Sequence, residues 1–301
     1  MATTMTSLAG KLFAEEMLVA AVKGVVPISK FAHRYTEAER AVGAEIIVPV
    51  FAVGTAQNFD GDYTKNAGTA DGVPIPLNKH LFDPKVYTDE DFQKCPVAFW
   101  QGAGRAVGKS ISRAIAAEVC GLINKTNIPK SATNEKVLAV SSLTKKILAD
   151  LTNTAEDADF NPAEATLLCS GELFTAILSL MDANIYGGPE AVRKGSLAEG
   201  CYGFGNIMRC NALTTASGEN LVGAIVHNDA IGYAGAPLMP QSRQVLEEHG
   251  LATDEPSGLT MGIRRFGVNT SGKNYIVGEV LMGAKVIQPT KIVRLVSSAT
   301  A

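Results

Sequence analysis

The residues best spaced for chemistry lie in the segment Ala103–Ser110, which reads AGRAVGKS. With alanine in place of the first glycine, this segment satisfies a permissive pattern for a phosphate-binding loop. In such a loop, backbone N–H groups surround the phosphates of a nucleotide and a lysine, here Lys109, reaches the same groups. The glycines of Gly102–Gly108 also echo a dinucleotide-binding fingerprint, although Glu118 follows too early to bind the ribose. A nucleotide-binding enzyme is therefore one interpretation of the chain.

An apolar stripe runs through the same segment and favours a different structure. Phe99, Val107 and Ile115 share one face of a helix that we predict over residues 97–125. At ~1.5 Å per residue this helix would be a rod of roughly 40 Å. Because the stripe continues in register, the glycines are predicted to lie inside the helix, where each costs up to ~1 kcal/mol relative to alanine. Small residues in a long helix commonly allow another element to pack closely.

Two further groups of residues form weaker patterns. The twelve residues Asp60–Asp71 resemble the start of a calcium-binding loop, but Lys65 stands where glycine is needed and the last residue is not glutamate. Cys201 or Cys210 could pair with His227 as a thiol and an imidazole. The five cysteines show no C-x-x-C spacing, which favours buried, reduced thiols. We predict no catalytic residue, no cofactor and no metal site.

The composition is that of a globular chain with few charges. Hydrophobic residues make up 46% and charged residues 19%, and the net charge is −3. A charge-poor chain has a large apolar core or covers part of its surface with copies of itself. This net charge does not indicate sequence-specific nucleic-acid binding. No apolar run reaches the ~18 residues of a membrane span, and the first residues do not resemble a signal peptide, so we expect folding in the cytoplasm.

Two proline-containing strands around a polar loop predict an arm that projects from the body. We place the strands at residues 44–51 and 73–80, and Pro49 favours an edge position or a bulge. The loop at residues 54–72 exceeds the ~12–15 residues beyond which structureless loops are uncommon in compact domains. Such an arm would gain its order from a neighbouring molecule.

The remaining segments predict a mixture of helices and strands. An amphipathic helix covers residues 8–23, with Gly24 ending it. Thr88 and Asp91 have the spacing of a capping box ahead of the long helix. Further helices are predicted at residues 141–151 and 172–181, and strands at residues 165–169, 220–226, 259–263 and within 275–296.

The segment Tyr186–Arg209 is dense in glycine and predicts a required backbone shape. Gly187–Gly188 closes the preceding element, Pro189 suits the first position of a short helix, and Gly195 follows its end. A strand then begins within Gly203–Ile207. The segment contains no nucleophile–base pair and no ligand set, so its role is predicted to be structural.

The order of these parts resembles the major capsid protein of tailed bacteriophages, which has the Hong Kong 97-type fold. The likeness is strongest to the coat proteins of short-tailed phages. It covers most of the chain and rests on the order and spacing of motifs. The matching segments are Phe31–Tyr35, Val42–Pro49, Leu77–His80, Tyr87–Phe92, Gly187–Gly195 with Gly203–Phe204, and Gly278–Pro289.

The resemblance implies an α+β fold of four parts. They are an N-terminal arm, an extended β-hairpin loop, a peripheral domain with a long spine helix, and an apical α/β domain. In this chain the parts would occupy residues 1–43, 44–82, 83–130 with 275–301, and 131–274.

The resemblance also implies a function and a set of partners. The chain would form hexamers and pentamers of an icosahedral shell that encloses double-stranded DNA non-specifically. Its partners would be a separate scaffolding protein, a portal protein and a decoration protein, and no membrane. It would be made in the bacterial host's cytoplasm and reside in the virion. Members of this family function by self-assembly, so the resemblance implies no catalytic residue in this chain.

We expect assembly contacts from the extended loop and from the apical domain. The expected residues are Phe59, Asp60, Asp62, Tyr63, Lys65, Gly187, Gly188 and Gly195. The alternatives are a nucleotide-binding enzyme that uses Ala103–Ser110 and an encapsulin-like protein compartment.

Overall fold

Two long helices pack against each other and against a large β-sheet, and two shorter helices accompany a smaller sheet. The structure is a computed structural model of the 301-residue chain. It describes residues 2–35, 45–51, 70–88, 90–91, 96–180, 201–213, 219–238, 248–268 and 273–298.

The first long helix, α1, spans Leu8–Val25. Ser7 caps its start, because the Ser7 hydroxyl oxygen accepts a hydrogen bond from the Gly10 N–H at 3.0 Å. The predicted helix is confirmed, but Gly24 lies inside it rather than after it. The apolar face of α1 is fully buried and includes Phe13, Ala14, Met17, Leu18 and Ala21.

The second long helix, α2, spans Pro96–Gly121 and confirms the predicted spine helix. It ends at Gly121 rather than at residue 125, because the Asn124 side chain bonds to the backbone around the end. The Asn124 amide donates to the Gly121 carbonyl at 2.7 Å, and its oxygen accepts from the Thr126 and Asn127 N–H groups.

The predicted capping box ahead of α2 is also confirmed. The Thr88 N–H and hydroxyl donate to the Asp91 carboxylate at 3.1 and 2.8 Å, and the Asp91 N–H donates to the Thr88 hydroxyl at 3.2 Å. Tyr87, just before it, packs edge-on against Trp100 of α2, with ring centroids 4.8 Å apart.

The large sheet has seven strands. Their bounds are β1 (Ala2–Thr3), β2 (His33–Tyr35), β5 (Lys79–Thr88), β10 (Ile231–Ala236), β11 (Glu248–Asp254), β12 (Leu259–Val268) and β13 (Lys273–Val286). The order is β1-β11-β12-β13-β10-β2, and β5 pairs with β13. The predicted alternation of Leu259, Met261 and Ile263 is confirmed, and all three side chains are buried. Gly278 of β13 lies against Met17 and Val107, so this sheet supports both long helices.

The smaller sheet has the order β6-β14-β9-β7-β8. Its strands are β6 (Glu135–Val137), β7 (Ala165–Cys169), β8 (Asn206–Arg209), β9 (Leu221–His227) and β14 (Ile292–Val296). Its helices are α3 (Lys145–Asp157) and α4 (Gly171–Leu180). All residues of β7 are buried, as predicted for that strand. The helix predicted at residues 141–151 is displaced: residues 140–142 form a 3-10 turn, and Thr144 caps α3 through its hydroxyl.

A separate two-stranded ladder joins β3 (Glu45–Phe51) and β4 (Ala70–Pro76). It confirms the proline-containing hairpin that the sequence predicts. Ile46, Val48 and Ile75 are buried against the body of the protein, in a cluster with Ala234, Ala236 and Ile287. The base of the predicted arm is therefore packed on the body, whereas residues 52–69 lie outside the described part of the chain.

The four-part division of the chain stays a prediction, and strand pairing crosses its boundaries. β10 to β12 come from residues 131–274 but pair with one another or with β13 in the large sheet. β14 comes from residues 275–301 but pairs with β6 and β9 in the smaller one.

Candidate functional site

The segment Ala103–Ser110, which resembles a phosphate-binding loop, lies entirely inside α2. Gly104 and Gly108 face α1. A Cβ atom added to Gly104 would lie 2.5 Å from the Phe13 carbonyl oxygen, and one added to Gly108 would be closer still to the Met17 carbonyl oxygen. No side chain fits there, so the two glycines allow the backbones of α1 and α2 to approach each other closely.

This placement excludes a phosphate loop at these residues. Such a loop must present backbone N–H groups to a ligand, and within α2 those groups bond to carbonyls one turn earlier. The dinucleotide fingerprint of Gly102–Gly108 fails for the same reason. The glycines instead serve helix packing, as the apolar stripe predicts.

Charged residues of α2 lie at the exposed edge of its contact with α1. Arg105, Lys109 and Arg113 follow one another at four-residue spacing along α2 and are exposed. Together with Lys23 of α1 and Ser112 they line a groove of about 680 Å³ between the helices. We call this surface the basic groove.

One carboxylate also lines the basic groove. The Glu16 carboxylate accepts two hydrogen bonds from the Arg105 guanidinium, at 2.8 and 3.0 Å. This bidentate pair lowers the pKa of Glu16. No ion pair joins Lys23, Lys109 or Arg113 to another described residue, so the groove has an excess of positive charge. It can attract anions by charge, without a geometry specific to one ligand.

The possible thiol–imidazole pair does not form. His227 is buried, its Nε2 lies 3.2 Å from the Glu164 carboxylate, and its Nδ1 accepts a hydrogen bond from the Asp229 N–H. Cys210 contacts Cys120 instead. Within the described residues, His, Cys, Asp and Glu side chains nowhere gather in a group of three that could hold a metal ion.

All eight residues expected to make assembly contacts lie outside the described part of the chain. Their roles stay predictions, and so does the calcium-like pattern that begins at Asp60. The residues are Phe59, Asp60, Asp62, Tyr63 and Lys65 of the extended loop, and Gly187, Gly188 and Gly195 of the apical segment.

Sequence reasoning missed a buried ion network formed by Glu135, Glu219 and Arg294. Arg294 of β14 is completely buried; its guanidinium binds the Glu219 carboxylate and lies 3.2 Å from the Glu135 carboxylate. Glu219 also accepts a hydrogen bond from the Lys125 N–H, just beyond α2. The residues are far apart in sequence, so no local pattern indicates this network.

Comparison with known proteins identifies the fold. The sequence matches no protein-family model and no curated protein. The structure is similar to a chain of Mycobacterium phage Che8, with a TM-score of 0.55 and 13% identity over 97% of this chain and 92% of that chain. It is also similar to the capsid of cyanophage P-SCSP1u, with a TM-score of 0.55 and 16% identity over 90% and 87%.

The capsid of an empty GTA particle is a third similar structure, with a TM-score of 0.56 and 12% identity over 93% of this chain and 90% of that chain. At such low identity, what these proteins share with the chain is the fold. The chain therefore has the α+β fold of phage capsid subunits. This is the Hong Kong 97-type fold that the order of motifs predicts.

Within the described residues, every helix falls short of the length and apolarity that a bilayer-spanning helix needs.

Proposed function

We propose that the chain is a major capsid protein that assembles into an icosahedral shell around phage double-stranded DNA. The observation that carries the proposal is the extent of the structural likeness. Two solved capsids, one of a cyanophage and one of a GTA particle, match nine-tenths or more of this chain. A likeness of this extent makes the shell subunit the best-supported role, and that role is structural rather than catalytic.

The shell requires contacts between copies, and we assign them to the extended loop and to the apical segment at residues 186–200. The packed base of the β3–β4 hairpin supports this assignment, since it would hold the loop at a fixed place on the body. Deletion of residues 56–70 should leave the isolated subunit folded but block assembly. Loss of folding would show that the segment belongs to the core instead.

We assign the basic groove to weak, non-specific contact with packaged DNA. Lys23, Lys109 and Arg113 can neutralise phosphates, and the net charge of −3 keeps the overall attraction low. Purified capsomers should bind duplex DNA with an affinity that falls as salt rises. For the double variant Lys109→Glu, Arg113→Glu the slope of log K against log salt should decrease by roughly 2.

Two exposed lysines of α3 provide the matched control for the groove. The double variant Lys145→Glu, Lys146→Glu makes the same change of charge on a helix that does not line the groove. If both double variants weaken DNA binding equally, net charge alone explains the effect and the groove has no special role.

The proposed life cycle includes a separate scaffolding protein, a portal protein and a decoration protein, and places the chain in the virion. Efficient formation of regular procapsids by the purified chain alone would argue against a separate scaffold. Sedimentation and light scattering test the proposed function itself. We expect capsomers or closed particles, whereas a monomer that binds ATP and loses that binding on Lys109→Ala would overturn it.

A further inference from the structure

Two cysteines from distant parts of the chain lie in contact where α2 meets the smaller sheet. Cys120 is the next-to-last residue of α2, and Cys210 directly follows β8. Their sulfur atoms are 3.3 Å apart, and both thiols are free. Ninety residues separate them in sequence, so this contact is made by the fold.

Both sulfurs are held by regular structure. Cys120 is buried in the apolar core beside Val119 and Ile123. The Cys210 N–H donates to the Cys169 carbonyl at 2.9 Å, which extends the pairing of β7 with β8 by one residue. A disulfide requires sulfur atoms ~2.05 Å apart. Bond formation therefore requires the two sulfur atoms to approach each other by about 1.2 Å.

The two thiols differ in reactivity. The hydrogen bond with Cys120 lowers the pKa of Cys210 to about 7, against the effect of burial. The same contact, together with burial, raises the pKa of Cys120. Cys210 is also the more accessible of the two, since it is only partly buried. This exposure suits Cys210 to react first with a molecule from solution, and it leaves Cys120 as the resolving thiol.

We propose that Cys210 and Cys120 form a thiol–disulfide exchange site, which a small-molecule disulfide oxidises to an intrachain disulfide between α2 and β8. The Cys210 thiolate attacks one sulfur of the small disulfide, breaks its S–S bond and releases one thiolate, which takes a proton from water. The Cys120 thiol then gives its proton to water, and its sulfur attacks the Cys210 sulfur of the mixed disulfide. This second step releases the other small thiol. Two protein thiols are oxidised, and one small disulfide is reduced to two thiols.

The bond would join the spine helix to the smaller sheet and close a long loop of chain. A cross-link of this kind restricts the unfolded state more than the folded one. One consequence rests on the proposed shell function: the pair stays reduced in the cytosol and oxidises after release from the cell.

Oxidised glutathione and the purified full-length chain provide the test. We expect a proteolytic fragment in which Cys120 and Cys210 are linked, and a Tm that rises by several degrees and returns on reduction. The linked fragment is measured on the unchanged protein and needs no variant. Its absence after complete oxidation of exposed thiols would overturn the proposal, whether or not the chain assembles.

Variants separate the roles of the two sulfurs. The Cys120→Ser variant should react only as far as a mixed disulfide, with one glutathione on Cys210. The Cys210→Ser variant should form neither this mixed disulfide nor the intrachain disulfide. Cys201→Ser, which changes a buried thiol outside the pair, should react as the unchanged protein does. Glutathione attached to Cys120 in the Cys210→Ser variant, or loss of the linked fragment in Cys201→Ser, would contradict the assignment.

Discussion

The spine helix α2 is held in two different ways along its length. In its middle, Gly104 and Gly108 remove side chains so that α1 can approach backbone to backbone. Beyond its C-terminal end, the buried ion network of Glu135, Glu219 and Arg294 connects the turn at Lys125 to the smaller sheet. The first contact excludes every larger side chain, whereas the second depends on each charged partner being present.

The two contacts of α2 should respond differently to substitution. A glycine contact is steric, so even one added methyl group disturbs it. A buried ion network fails when one member is lost, because the remaining charges stay buried without compensation. The following predictions test the two contacts and a third one at the start of α1, from the largest expected effect to the smallest.

Arg294→Met should have the largest effect. It leaves the Glu135 and Glu219 carboxylates facing an apolar side chain, and loss of one partner of a buried network costs roughly 3–5 kcal/mol in unfolding free energy. Urea unfolding of the subunit measures this cost. Arg113→Met, an exposed arginine of α2, is the control and should change the free energy by less than ~0.5 kcal/mol.

A triple variant makes that prediction more specific. Adding Glu135→Gln and Glu219→Gln to Arg294→Met removes the two carboxylate charges that Arg294 binds, so it should recover part of the lost stability. A triple variant less stable than Arg294→Met alone would show that Arg294 acts through packing rather than charge.

Gly108→Ala should destabilise the subunit by about 1–3 kcal/mol, because the added methyl group forces α1 away from α2. Gly102→Ala is the matched control on the same helix, since its added Cβ would meet no atom within 4 Å. The control should stabilise the protein by up to ~1 kcal/mol, as expected for alanine in a helix. Equal effects in thermal unfolding would remove the argument for close packing.

Glu248→Gln should have the smallest effect on stability, and the size of this effect should depend on pH. Burial raises the pKa of Glu248, but hydrogen bonds from Ser7 and Thr6 at the start of α1 lower it by more, so the pKa lies below its ordinary value. The resulting stabilisation is present above the unfolded-state pKa of about 4.3 and is lost as the pH falls through the folded-state pKa.

A series of Tm measurements at decreasing pH tests this contact between Glu248 and the start of α1. The Tm difference between the unchanged protein and Glu248→Gln should be largest near neutral pH and should shrink below about pH 4. Glu15→Gln, an exposed change on the same helix, is the control. A difference for Glu248→Gln that stays constant with pH would contradict the proposed role of the charge.

Sequence reasoning recovered the features that repeat locally. The stripe through Val107 predicted α2 and the position of its glycines inside a helix, and the alternation of Leu259, Met261 and Ile263 predicted β12. Helix ends were less accurate, because they depend on single side chains: Asn124 ends α2 early, and Gly24 stays helical beside Ser112.

Contacts between distant residues could not be predicted from one sequence. Arg264 binds the buried Glu279, and Arg265 donates to the Tyr87 hydroxyl at 2.7 Å. The Cys120–Cys210 contact could not be predicted from the sequence for the same reason. In each case the partners meet only because strands or helices far apart in the chain pack together.

Electron microscopy of the purified chain, expressed alone and together with a candidate scaffolding protein, tests the central claim most directly. The proposal predicts closed icosahedral shells of hexamers and pentamers, into whose density the two sheets and α2 of this structure fit as one subunit. A chain that remains a monomer or dimer under both conditions, or that forms only open filaments, would contradict it.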